Sequence, residues 1–321
     1  MHDGKHRQGF VSLSMLFLCP YVRLCLFNSL FSTELFRFFL TCMHKICIFA
    51  DTNQINGLMK YALVTGASSG MGLQFALQLA DKGYGIILVS NRPDENRQAA
   101  ELIRQRAGVD TRIVDADLTA ADAAQKLYDQ VHSWQLEVEV LISNAGMLLF
   151  STLTRTSVQA LDKILSLHCT TPVKLIRLFG QDMQERRKGY ILITSSSSAW
   201  MQYPTISHYG ATKAFLKNFS RAIWYEFRRY NVGVTAFFPG AVDTPLYNLE
   251  PSKRKLFRSL GMMMSPEKAV SLGLKAMFHR RYRCIPGLFT KISVAICAVA
   301  PAWLFLPILK IPYIKRLFES V

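Results

Sequence analysis

Residues 61–82 read YALVTGASSGMGLQFALQLADK, and the order of elements within them decides the fold. Tyr61–Val64 is an unbroken apolar run of strand length. Thr65-Gly66-Ala67-Ser68-Ser69-Gly70-Met71-Gly72 is a glycine turn, and Leu73–Lys82 carries its apolar residues at helical spacing. Glycines permit a tight turn and let backbone N–H groups approach a pyrophosphate, whose charge then meets the helix N-terminus. Ser68 and Ser69 add hydroxyl donors. A glycine turn alone is a plain connection as often as not. Its place between a first strand and a helix points to a nucleotide.

Downstream the alternation repeats. Strand Gly85–Val89 ends at Ser90-Asn91-Arg92 and precedes a polar helix, Asp94–Arg106. Strand Thr111–Val114 ends at Asp115-Ala116-Asp117. Helix Ala120–His132 then leads to strand Val138–Ile142, which ends at Ser143-Asn144-Ala145-Gly146. A long helix is expected from about Val158 to Met183, then a strand over Tyr190–Ile193, a helix carrying Tyr209 and running to Tyr230, and a sixth strand, Val232–Phe238. This rhythm predicts an α/β fold, a Rossmann-type doubly wound parallel sheet flanked by helices. Such sheets bind ligands at the carboxyl ends of their strands. Every polar motif just named falls at such an end.

The stretch YILITSSSSAWMQYPTISHYGATKAF, residues 190–215, carries the chemistry. Tyr209 and Lys213 stand four apart on one helix face. An ammonium near a phenol favours the phenolate, which suits a Tyr exchanging a proton with a substrate oxygen near neutral pH. Ser196, at the end of the preceding strand, can hydrogen-bond the same oxygen. A solvated Tyr–Lys surface pair would look the same in isolation. At the end of the second strand no acid stands ready for a ribose 2′-hydroxyl. Arg92 is there instead, which favours the 2′-phosphate of NADP(H) over NAD(H) unless Arg92 merely faces solvent. Asp117-Leu118 can flank the adenine, or Asp117 can cap the next helix.

TGASSGMG at 65–72, SNAG at 143–146, Ser196, Tyr209-Gly-Ala-Thr-Lys213 and Pro239-Gly240-Ala-Val242-Asp-Thr244 resemble, in order and spacing, the short-chain dehydrogenase/reductase family. The resemblance covers about Met59 to Gly287. It implies Tyr209 as general acid/base, Lys213 lowering its pKa and holding the nicotinamide ribose, and Ser196 polarising the carbonyl. It implies a cofactor site built from Gly66, Ser68, Ser69, Gly70, Met71 and Gly72, with Arg92, Asp117 and Leu118, then Asn144, Ala145 and Gly146, then Tyr209, Lys213, Pro239, Gly240, Val242 and Thr244. The implied activity is NAD(P)(H)-dependent interconversion of a ketone and a secondary alcohol, in a homo-oligomer. A cofactor-binding protein without turnover is the competing reading.

One stretch departs from the family. Where it commonly has Val-Asn-x-x-Gly, with an Asn that bends a helix and positions a water for proton relay, this chain reads Ser166-Leu167-His168-Cys169-Thr170-Thr171-Pro172. His168 stands in the Asn position and Thr171 in that of the glycine. A histidine can itself hold water or pass protons, or it can be a satisfied core residue.

The remainder of the 321 residues concerns surroundings. Residues 1–58 hold four of the seven cysteines and short apolar runs, of which Phe10–Val22 is thirteen residues without charge, less than a bilayer span needs. They are read as an upstream extension from a misassigned start, ahead of a domain over 59–287; a signal peptide is the other reading, though no small-residue cleavage site follows cleanly. With no CxxC and no metal-ligand spacing, the cysteines read as reduced thiols in a cytoplasmic setting, and no metal is expected. The formal charge is +16, and residues 253–283 hold nine Lys/Arg against the single Glu267. No nucleic-acid motif accompanies them, so an anionic membrane surface is the partner expected rather than nucleic acid, unless the cluster is only a solvated basic face. After Thr244, the residues Tyr247, Leu256, Phe257 and Met262–Met264 are expected to line an apolar substrate lid, which suggests a lipid-like or steroid-like substrate. Ser265-Pro266 reads as the start of a helix ending near His279. In the tail, 288–321, the eighteen uncharged residues Ile292–Leu309 contain Pro301 and Pro307 and have basic flanks. That fits a segment lying in a membrane interface better than one spanning it. Packing against the enzyme is the other reading.

Overall fold

The computed structural model describes residues 59–201, 204–244, 255, 258–259 and 261–309. The readings of residues 1–58 and of Tyr247, Leu256 and Phe257 lie outside these. The expected strands form as β1 (Lys60–Thr65), β2 (Gly85–Ser90), β3 (Thr111–Asp115), β4 (Glu137–Ser143), β5 (Gly189–Thr194) and β6 (Val232–Phe237). The helices between them are α1 (Gly70–Ala80), α2 (Pro93–Ala107), α3 (Ala123–Ser133), α4 (Val158–Leu165), α5 (Thr171–Glu185) and α6 (Ser207–Arg228). Beyond β6 come the short strands β7 (Ala241–Val242) and β8 (Met263–Met264), helix α7 (Pro266–Phe278), strand β9 (Arg283–Cys284) and helix α8 (Leu288–Val299).

The main sheet is parallel, in the order β3-β2-β1-β4-β5-β6-β9. From β1 the chain winds outward through β2 and β3, then returns to β4 on the other side of β1. A crevice therefore opens above the carboxyl ends of β1 and β4, where the winding reverses. Both faces of the sheet are covered. Leu63, Ile87, Leu141 and Ile191 pack under α3, α5 and α6, while Ala62, Val64, Ile86, Leu88 and Ile142 pack under α1, α2 and α7. That double burial is why the strands read as continuous apolar runs rather than alternating ones. Each such Leu, Ile or Val contributes about 1.5–3 kcal/mol.

Four details differ from the sequence reading. Helix α3 starts at Ala123 rather than Ala120, because Asp117 Oδ1 accepts from the N–H and the hydroxyl of Thr119 at 2.9 and 2.8 Å and holds the preceding residues in turns. The long helix from Val158 is interrupted by a π-helical turn, Ser166–Thr170, that separates α4 from α5. Strand β9 extends the sheet beyond β6, pairing Ala236 with Arg283 and Phe237 with Cys284. Met263 and Met264 are held in a short ladder against Ala241 and Val242. Helix α7 begins as expected, with Ser265 accepting from the Lys268 N–H and Pro266 in its first turn.

Candidate active site

At the end of β1 the glycine turn is shaped for close approach. Gly66 and Gly70 have φ of +67° and +56°, which side-chain-bearing residues adopt only with strain. A Cβ at Gly72 would collide with the Gly66 carbonyl oxygen, so the turn and the first residues of α1 touch backbone to backbone. Thr65 braces the neighbouring strand. Its hydroxyl accepts from the Asn144 and Ala145 N–H groups at 2.9 and 3.0 Å and donates to the Ile142 carbonyl at 3.3 Å. The Asn144 side chain donates back to the Thr65 carbonyl at 3.2 Å. Asn144 and Ala145 therefore lock the end of β4 to the end of β1.

The end of β2 holds a polar chain. Ser90 donates to Ser68 at 3.0 Å, and Ser68 donates to Glu95 Oε2 at 3.4 Å. The Arg92 guanidinium donates to both Glu95 oxygens, at 3.0 and 3.2 Å, with its side chain largely exposed. Glu95, from the first turn of α2, is absent from the sequence reading. At the end of β3, the bonds from Thr119 hold the Asp117 carboxyl below its usual range. Because α3 begins at Ala123, Asp117 does not cap it. Thr171, in the place of the family's glycine, donates to the Leu118 carbonyl at 2.7 Å and ties α5 to this loop.

At the end of β5 the side chains draw together around α6. Ser195 donates to the Lys213 carbonyl at 2.8 Å, and the Lys213 ammonium donates to the Thr194 carbonyl at 3.2 Å. Ser196 Oγ accepts from the Ser198 N–H at 3.2 Å, capping the 3-10 turn Ser197–Ala199. Lys213 Nζ lies 5.4 Å from the centre of the Tyr209 ring. Only 4% of Lys213 is exposed, and burial lowers its pKa to about 8.

His168 lies inside the π-helical turn, buried, with its ring edge-on to Tyr209 at 5.6 Å. Its Nε2 accepts from the Met147 N–H at 3.0 Å, which leaves the proton on Nδ1 to donate to Thr212 Oγ1 at 2.9 Å. Thr212 in turn donates to the Tyr209 carbonyl at 2.8 Å. Burial, followed by the Lys213 charge and His208, holds the His168 pKa well below its ordinary value. A neutral ring with both nitrogens engaged positions its neighbours.

One cleft of about 460 Å³ runs across the carboxyl ends of the strands. Gly66, Ser68, Ser69, Gly70, Met71, Gly72 and Arg92 line one part of it. Asp117, Leu118, Asn144, Ala145 and Gly146 line the middle, and Ser196, Tyr209, Lys213, Pro239, Gly240, Val242 and Thr244 line the rest. His168 is not on its wall, and neither are Met262, Met263 and Met264. Ser90, Asn91, Thr119, Met147, Lys163 and Leu167 line it without having been singled out. Lys163 and Leu167 had only a weak signal, a spacing of four along the helix expected from Val158. The Thr194 hydroxyl is buried beside the cleft with no partner, a group that a ligand would satisfy. A turn that demands glycine at positions 66, 70 and 72 and an orphaned hydroxyl farther along the cleft fit a dinucleotide laid along it.

The model of the family described as short chain dehydrogenase matches residues 60–255. The chain belongs to the short-chain dehydrogenase family. Among curated short-chain relatives, it is 32% identical to mouse 17-beta-hydroxysteroid dehydrogenase type 3 over 209 residues, 63% of this chain and 66% of that one. The chain thus spans just under two thirds of that relative's length. It is 29% identical to human very-long-chain 3-oxoacyl-CoA reductase over 259 residues, 78% of this chain and 79% of the other. Solved structures carry the same fold. A short-chain dehydrogenase from Sphingobium yanoikuyae in complex with NADPH superposes with a TM-score of 0.65 at 23% identity, over 82% of this chain and 96% of that one. A 7beta-hydroxysteroid dehydrogenase does so with a TM-score of 0.70 at 22% identity, over 80% and 96%.

Proposed function

We propose that the protein is an NADP(H)-dependent oxidoreductase that interconverts a ketone and a secondary alcohol on an apolar, lipid-like or steroid-like substrate. The observation that carries this reading is the convergence of Ser196, Tyr209 and Lys213 on the cleft whose far end is the glycine turn. A nicotinamide cofactor bound along that cleft supplies the hydride. The residues do the rest. Ser196 holds the substrate oxygen by hydrogen bond, and the Tyr209 hydroxyl gives it the proton as the carbonyl becomes an alcohol. The Lys213 ammonium, beside the Tyr209 ring, favours the phenolate left behind. The backbone of the glycine turn would hold the pyrophosphate, and Asn144 keeps the central strand ends in place. His168 acts through Met147 and Thr212 as a positioning residue. Relatives named for steroid and long-chain acyl substrates support the apolar substrate class.

Arg92 at the end of β2 supports NADP(H), with Glu95 as the group the 2′-phosphate must displace. Arg92→Asp is expected to swing preference toward NADH, read as the ratio of kcat/KM for the two cofactors; an unchanged ratio would show that Arg92 only faces solvent. Phe215 and Tyr225, exposed on α6, support a homo-oligomer. The basic residues and the apolar helix α8 support a peripheral position on a membrane. The reading is tested by following NADPH oxidation with ketosteroids, 3-oxoacyl compounds and long-chain ketones. Turnover of at least one class is expected, and tight NADPH binding with no turnover of any would favour the cofactor-binding protein without activity.

A further inference from the structure

Helix α8 is amphipathic in the reverse sense for a surface helix of a water-soluble protein. Its inward stripe is Thr290, Ser293, Val294 and Cys297, of which only Val294 is buried. Its outward side carries Leu288, Phe289, Ile292, Ile296 and Val299, each at least half exposed and Val299 84% exposed. The single charge on that side is Lys291. After the helix Trp303 stands 66% exposed, and Arg281 and Arg283 are exposed just before it. An apolar face of this extent on one element calls for an occupant.

We infer that the outward face of α8 docks flat on an anionic lipid bilayer, with Lys291, Arg281 and Arg283 meeting the headgroups and Trp303 seated at the interface. The inference deepens the membrane reading above and rests on it. Three observations select a bilayer surface. No helix among the described residues is long and apolar enough to cross a membrane, and the twelve residues of α8 span about 18 Å, so the element suits lying on a surface. The cations ring and interrupt the apolar face, where their stems can lie along lipid while the charges reach phosphate. A second copy packed on the same face about a two-fold axis would bring this cationic face against itself with no carboxylate on α8 to meet it. The helix is also tied to the cleft. Thr290 packs directly on Gly240, a cleft residue, and Gly287, at φ +86°, seats the start of α8 beside Met264. Docking therefore places the Gly240 wall of the cleft at the lipid interface, where an apolar ketone concentrates.

The test uses the full chain and vesicles of phosphatidylglycerol and phosphatidylcholine with brominated acyl chains, which quench tryptophan on contact. Trp134, Trp200, Trp224 and Trp303 are the only tryptophans, and the first three lie partly buried in the body of the fold. The expected result is co-sedimentation in low salt with quenching of a blue-shifted component that Trp303→Phe removes. Ile292→Asp with Ile296→Asp should abolish that quenching and lower partition at least tenfold, while water-soluble ketone turnover is kept. Co-sedimentation without quenching of Trp303, or no binding, would overturn the inference. So would a dimer that the double variant dissociates while neither protein binds vesicles, which would assign the face to a second copy. No substrate enters the sedimentation, quenching or dimer readouts. A vesicle-bound protein that reduces nothing contradicts the reductase reading alone. Binding without Trp303 quenching contradicts the docking of α8 alone, and an active protein that ignores vesicles contradicts the docking and the membrane position while leaving the reductase reading intact.

Discussion

Lys213 combines a charge with nearly complete burial, and that combination has a measurable sign. Its folded pKa is lowered to about 8 from an ordinary 10.5. Between those values the unfolded chain holds the extra proton, so unfolding free energy rises with pH over that window. The melting temperature of the cofactor-free protein, compared with Lys213→Met at each pH, should gain on the variant from pH 8 upward; parallel curves would show that Lys213 is not titrating there. Ketone reduction should fall over the same onset, because the ammonium beside Tyr209 is lost as pH passes about 8. His168 should behave differently. His168→Ala leaves the Met147 N–H and the Thr212 hydroxyl without their buried partner, a cost of about 1–3 kcal/mol for each. Melting should drop clearly while kcat falls less than in a Tyr209 variant. A loss of turnover as large as Tyr209→Phe, without loss of stability, would make His168 a proton carrier. The sequence left both roles for His168 open because residue type and position do not reveal where ring nitrogens point. Met147 is 21 positions away and Thr212 is 44 away.

Among the elements, the glycine turn was legible because its demands are local. Positive φ at Gly66 and Gly70 and the contact at Gly72 are written in residue type. Gly72→Ala should therefore lower the melting temperature and weaken NADPH binding at least tenfold, measured by nicotinamide fluorescence; unchanged binding would mean the turn does not approach the cofactor. The π-helical turn Ser166–Thr170 was not legible. Its residues keep helical periodicity, and the extra residue is accommodated by His168 and Thr171 bonding to other elements. The late start of α3 was hidden for a related reason, since an Asp that caps a helix and one that bonds two residues ahead look alike in sequence. Glu95 went unremarked because a carboxylate in the first turn of a helix is ordinary. Only its contacts with Ser68 and Arg92 bring it to the cofactor end.

At the scale of the whole molecule, the strand–helix rhythm was enough to lay out six strands and to put the ligand site at their carboxyl ends. Strand β9 escaped because two residues carry no period, and it forms only where the chain returns after α7 to pair with β6. The cleft assembles residues from Gly66 to Thr244, so its unity is a property of the sheet rather than of any segment. The account of that cleft stands or falls on Tyr209. Single-turnover and steady-state rates of NADPH oxidation by wild type and Tyr209→Phe, with NADPH affinity measured in parallel, test it directly. The variant should bind NADPH as wild type does and lose about 10²–10⁴-fold in rate, since the ring remains and only the proton donor is gone. Reduction at near the wild-type rate would contradict the assignment of Tyr209 and the mechanism built on it.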